Sequence, residues 1–203
     1  MAPKRIPAGK NVVLEIPADG PRRVRIAAEV CFREGPLELL MCRKFTKEHE
    51  AILAADIDAR DVHKALLAAG AKAGSPVQFQ PQYKAASGSR ILVNVEYEKD
   101  GKTITIPARQ WIRDAKTRKE LATDWVFGGS KFFPDPDDSK KPPHYLANGG
   151  DVICVSNFET AMLDLPISSS QANTELQFEA LTDRIPPLGT KATVILEPVA
   201  EKK

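Results

Sequence analysis

A chain of 203 residues with 42% apolar side chains can bury a core of its own. Its 29 Lys and Arg stand against 27 Asp and Glu, a net charge of +2. The basic residues are scattered through mixed-sign runs such as "RDAKTRKE", which excludes a dedicated phosphate-binding surface, so no nucleic-acid partner is expected.

No run approaches the roughly 18 apolar residues of a transmembrane helix. The N-terminal "MAPKRIPAGKNVVLEIP" lacks the apolar centre of a signal peptide, so the expectation is a soluble chain, either cytoplasmic or a mature exported domain. Cys31, Cys42 and Cys154 are too few and too spread for a disulfide scaffold, a zinc ribbon or an iron–sulfur cluster, and no cofactor is expected. Sixteen prolines against twelve glycines favour loops and short strands over a helical bundle.

In chain order, Val24, Ile26, Ala28, Val30 and Phe32 alternate with Arg23, Arg25, Ala27, Glu29 and Cys31, the pattern of a half-buried strand. The turn residues Glu34-Gly35-Pro36 and a resumed alternation at Leu37, Leu39 and Met41 predict an antiparallel hairpin. In that register Cys31 faces Glu38 and Cys42 faces Ala27. The thiols would then stand about 13 Å apart, too far for a disulfide, which tolerates a Cα separation of about 7 Å.

Thr46 is expected to cap a helix over Lys47 to Leu53, and Asp58 a second one through "ARDVHKALLAAG", ended by Gly70 in a left-handed conformation. Ala59, Val62 and Leu66 mark its packing face, with His63 beside them as a boundary residue. Asp100-Gly101 predicts a tight hairpin in which Tyr97 opposes Ile104, Val95 opposes Ile106, Glu98 opposes Thr103 and Glu96 opposes Thr105.

Arg109 to Leu121 reads as an irregular helix, and Trp111 and Trp125 as core residues. Residues 130 to 146 read as a long exposed loop. Its Asp135, Asp137 and Asp138 lack the glycine and terminal glutamate of a calcium loop. "DVICVSNF", "TELQFEA" and "KATVILEP" read as further strands. The fold expected from these elements is a single α+β domain, core about residues 12 to 197, of mainly antiparallel β-sheet with two short helices after the first hairpin.

No nucleophile elbow, protease cysteine signature or phosphate loop is present. The stretch "MCRKFTKEHEAIL" instead concentrates Cys42, Glu48 and His49, with Glu38 nearby. Three readings arise: a structural junction whose acidic residues serve the helix start; a thiol enzyme or redox site with Glu38 or Glu48 orienting His49; and a metal site. Glu48-His49 is not an H-E-x-x-H motif, and His63 and His144 are distant in sequence, so no metal is expected.

The stretches "GPLELLMC", "TKEHEAIL", "VHKALLAAGAKAGSPV", "ARQWI", "WVFGGS" and "YLANGGDVICVSNFETAMLDLP", from about Gly35 to Pro166, resemble the YdjY-like family, a bacterial group common in planctomycetes. The resemblance implies a protein that is usually exported in relatives, and it brings no reaction, substrate or cofactor. Relatives commonly carry glycine just before the Thr-Lys-Glu-His-Glu signature, where this chain has Phe45. The functional expectation is a non-enzymatic extracytoplasmic binding or interaction module with a protein or small-molecule partner.

Overall fold

The computed structural model describes residues 2–138, 140–169 and 177–200. An N-terminal hairpin, β1 (Lys4–Gly9) and β2 (Val12–Ile16), leads to β3 (Arg23–Val30), a short β4 (Pro36–Leu37), β5 (Leu39–Arg43), β6 (Ala51–Ala55) and the helix α1 (Ala59–Ala68). Small strands β7 (Ala73–Ser75) and β8 (Ser87–Gly88) precede the long hairpin β9 (Arg90–Lys99) and β10 (Lys102–Pro107). After β11 (Ile112–Asp114) come β12 (Trp125–Phe127), β13 (Phe132–Phe133), β14 (His144–Tyr145), β15 (Ile153–Cys154) and β16 (Leu163–Asp164), then β17 (Phe178–Ala180) and β18 (Lys191–Pro198).

The main sheet runs β3-β18-β9-β12-β16-β15-β5-β6, and β6 pairs back onto β3, closing an eight-strand barrel. Two long strands divide their outer edges. β3 pairs with β2 through residues 23–26 and with β6 through Glu29 and Val30; β9 pairs with β10 and, at Arg90 and Ile91, with β12. Thus the hairpin β1–β2 and strand β10 extend the barrel wall as flaps. The interior is filled by Val24, Ile26, Val30, Leu53, Ile91, Val95, Trp125, Phe127 and Val194, all at most 1% exposed.

This fold corrects the expected α+β class. Among the described residues there is one α-helix, and the sheet is a closed barrel with two parallel pairs, β5–β6 and β15–β16. The expected helix over Lys47 to Leu53 is a turn followed by β6, whose five residues Ala51–Ala55 are all buried. A wholly apolar run shows no period, so a strand covered on both faces cannot be told from a buried helix by pattern. Burying Ile52 and Leu53 there contributes roughly 1.5–3 kcal/mol each.

The first hairpin is also absent. β18 takes one edge of β3 and β2 and β6 take the other, so no edge remains for residues 37–41. The turn at Gly35 instead sends Leu37 to pair with Phe178 in a separate sheet, β11-β17-β4. Arg109 to Leu121 is a single 3-10 turn, Ala108–Trp111, followed by β11. The supposed loop 130–146 contains the pair β13–β14. Part of "TELQFEA" lies outside the described residues; its end is β17.

The Asp100-Gly101 hairpin has the register read from the sequence, with positive φ at both turn residues. Helix α1 starts and stops as expected. Asp58 accepts the Arg60 N–H at 2.9 Å, and Gly70 has φ +99°. His63 is half-buried and bonds Tyr145 Oη at 2.9 Å. Because the Tyr145 hydroxyl donates its one proton to Gly129 O, His63 Nδ1 is the donor in that pair. Trp111 and Trp125 are core residues, and Trp125 Nε1 donates to Cys154 O at 2.6 Å.

Asp58 also accepts from Asn148 Nδ2 and pairs with the Arg60 guanidinium, which hold its carboxyl well below the usual range. Asp58→Ala should therefore cost more than a simple cap, about 2 kcal/mol, seen as a lower urea midpoint with an unchanged slope.

Candidate functional site

The parallel register of β5 and β6 pairs Leu39 with Ala51 and Arg43 with Ala55. The chain leaving Arg43 must therefore travel back along the strand, about 13 Å at 3.3 Å per residue, before β6 begins. Residues 44–50 make that return as a loop laid over the β5–β6 pair. At its end Glu38 N and Leu39 N both donate to Glu50 O, at 3.2 and 3.1 Å.

The loop starts in strain. Phe45 has φ +65° and its side chain is 90% exposed. The Glu48 carboxylate accepts the Phe45 N–H and, at 2.9 Å, the Thr46 N–H. The acidic residue expected at a helix start thus serves a turn, where it satisfies amides that have no other acceptor. Glycine suits this left-handed position, so Phe45→Gly should stabilise the protein by about 0.5–1 kcal/mol, read as a higher melting temperature.

Lys47 fastens the middle of the loop to the segment between β14 and β16. Its Nζ lies 2.9 Å from Asp151 Oδ1, 3.5 Å from Glu50 Oε1 and 4.5 Å from the Phe158 ring centroid. Thr160 Oγ1 donates to Asp151 Oδ2 at 2.5 Å. Gly150 lets the loop come close: it has φ +126°, and a Cβ there would meet Thr46 Oγ1 at 2.8 Å.

Glu38, 5% exposed, hydrogen-bonds Glu50. Burial first, and then the Glu50 charge, push its carboxyl up to about 7, against the opposing pull of Lys47. Two carboxyls in contact ionise together only at high cost, so Glu38 keeps its proton until pH approaches about 7. Asp164, fully buried, is likewise pushed up to about 7 by burial, although Asn157 and the Leu165 amide favour its ionised form. Burial would lower Lys47, but Asp151 and Glu50 outweigh it and hold the ammonium charged.

Cys42 is fully buried. It packs in one apolar cluster with Leu39, Ala51, Ala54, Cys154 and Ala161, against which Cys31 is laid. The Cys31 contact and the Lys47 N–H pull the Cys42 thiol down against burial; Cys31, whose Sγ lies 3.1 Å from Ala51 O, is pushed up and keeps its proton. The expected 13 Å gap between these thiols rested on a hairpin that does not form; in the barrel Cys31 follows β3 and Cys42 lies in β5, on either side of β6. All three cysteines are free.

Of the residues proposed from sequence, the fold brings Glu38 to the Lys47 cluster, places Cys42 beneath the loop and gives Glu48 to the loop amides. His49 goes elsewhere: its side chain is 77% exposed, with Nε2 3.7 Å from Glu50 Oε2. The partners of the Cys42 sulfur do not include it. Among the described residues no three His, Cys, Asp or Glu side chains are grouped to hold a metal ion. Lys47, Asp151, Thr160 and Asp164 were missed. Lys47 and Asp151 did lie inside stretches that carry the family resemblance, but nothing in the sequence pairs them.

The proton that Glu38 retains has a measurable consequence. A carboxyl whose folded value is raised stabilises the fold below its unfolded value of 4.5, and that contribution is lost as pH climbs through about 7. Glu38→Gln keeps a donor toward Glu50 and cannot ionise. Its melting temperature relative to the parent should therefore rise between pH 4.5 and 8, by about 5 °C for a difference of about 2 kcal/mol. Comparing the two proteins at each pH cancels the opposing titration of His63, which burial pushes down.

The family model of the YdjY domain matches residues 19–197. No curated protein and no solved structure is similar enough to match. No helix among the described residues is long and apolar enough to cross a membrane. The match takes in the return loop, the Lys47–Asp151 pair and the barrel strands up to the penultimate residue of β18, and on that span the chain belongs to the YdjY domain family.

Proposed function

We propose that the protein is an extracytoplasmic binding module whose ligand lies against the barrel wall, in the groove formed where β3 passes from β2 to β6. The observation that carries this reading is a cavity of about 500 Å³ at that place, within the range of ligand sites. Small side chains leave the room: Ala27, Ala28, Ala54 and Ala192 all line it. The export of relatives implied by the family resemblance supports the compartment.

The chemistry of the wall narrows the ligand. Lys44 and Lys191 both pair with Glu29, Arg25 with Glu96 and Lys10 with Asp56, while the Thr103 hydroxyl donates to Glu98. A charged ligand would have to break such pairs. A neutral, hydroxyl-rich one can use the spare lone pairs and donors that remain, which favours an oligosaccharide. A thiol enzyme is supported less well, since Cys42 is fully buried and His49 faces solvent.

Screening against immobilised neutral oligosaccharides is expected to give binding that Ala27→Trp weakens by about tenfold or more while the melting temperature is unchanged. Ala27 is exposed, so the larger side chain fills the groove without entering the core. Absence of binding, or binding indifferent to this substitution, would sink the reading.

A further inference from the structure

Tyr97 and Glu98, near the end of β9, line both the groove and a second cavity of about 190 Å³. The division repeats at the start of β18, where Thr190 lines the second cavity and Lys191 the groove. The two spaces are therefore neighbours along the wall. The second is smaller than the roughly 300–1,000 Å³ of a whole ligand site, so it extends the groove rather than standing as a site of its own.

Its far wall comes from the segment between β17 and β18, through Asp183, Arg184, Ile185, Pro186 and Pro187. The Arg33 guanidinium pins that segment by donating to Thr182 O at 3.1 Å and to Ile185 O at 3.1 and 2.8 Å, and Ile185 itself is buried. On the near side the Tyr97 ring is backed by the buried Trp111, with ring centroids 5.8 Å apart. Both walls are thus formed before a ligand arrives.

Tyr97, Ile185, Pro186 and Pro187 offer apolar surface of the kind that suits the C–H face of a sugar ring. Lys99 and Asp183 supply the polar rim, and among the described residues neither side chain makes an ion pair or a hydrogen bond. A charged donor and a charged acceptor are therefore open to hydroxyl groups without any pair being broken.

The geometry points to a further sugar subsite in this cavity: the oligosaccharide of the groove runs past Tyr97 and seats its next unit against Lys99 and Asp183. This assignment rests on the groove reading above.

Calorimetry of the whole chain with neutral oligosaccharides of increasing length tests it. Once the sugar is long enough to pass Tyr97, affinity should rise by about tenfold. Lys99→Trp, which fills the cavity, and Asp183→Ala, which removes an acceptor, should each erase most of that gain and leave the binding of shorter sugars as in the parent. Both residues are exposed, so both variants should fold, which a thermal melt checks. Affinity independent of length, a gain that survives both variants, or a loss with them at every length would overturn the subsite, while the groove reading would stand on its sensitivity to Ala27→Trp. No binding at any length would overturn both.

Discussion

The parallel pairing of β5 with β6 is the constraint on which the rest of the site depends. Parallel neighbours usually need a crossover of a dozen or more residues, and here residues 44–50 alone make the return. So short a connection must lie flat on the strands it joins. That one requirement buries Cys42, brings Glu50 to Glu38 and presents Lys47 to Asp151. It also explains the left-handed backbone at Phe45, since a turn this abrupt must begin with a reversal.

Flatness has an electrostatic cost. The loop carries Lys47, Glu48 and Glu50 onto an apolar surface, and the protein deals with each differently. Glu48 accepts from backbone amides, Lys47 pairs with a carboxylate from a segment about a hundred residues away, and Glu50 faces that same ammonium and a Glu38 that holds its proton. Removing one member of such a network leaves its partner's charge buried, which costs more than the pair contributes. Conservative amide substitutions are therefore more informative here than truncations to alanine.

The locally encoded parts were legible in the sequence. Asp100-Gly101 specifies its turn by backbone preference alone, and Asp58 and Gly70 delimit α1 by satisfying its ends. The barrel was not legible, because closure depends on pairings such as Glu29 with Ala54 that leave no local trace, and because "AILAA" has no period to separate strand from helix. The site was half legible. Glu38, Cys42 and Glu48 stand out as polar or reactive groups amid apolar neighbours, whereas the role of Lys47 emerges only once Asp151 is beside it. His49 drew notice for its chemistry and lies where that chemistry meets water.

Closure also decides how this sheet behaves toward other chains. The barrel strands leave no free rim of backbone donors between β3 and β6, so the unpaired edges of the main sheet fall to the flaps, β1 and β10. Each flap is guarded. Pro7 in β1 and Pro107 at the end of β10 withhold an N–H, Lys4, Arg5 and Lys102 add charge, and the register of β1 breaks between Pro7 and Gly9. A strand from a neighbouring molecule finds no continuous ladder to extend on either flap, so the largest sheet of the protein is protected from templating aggregation.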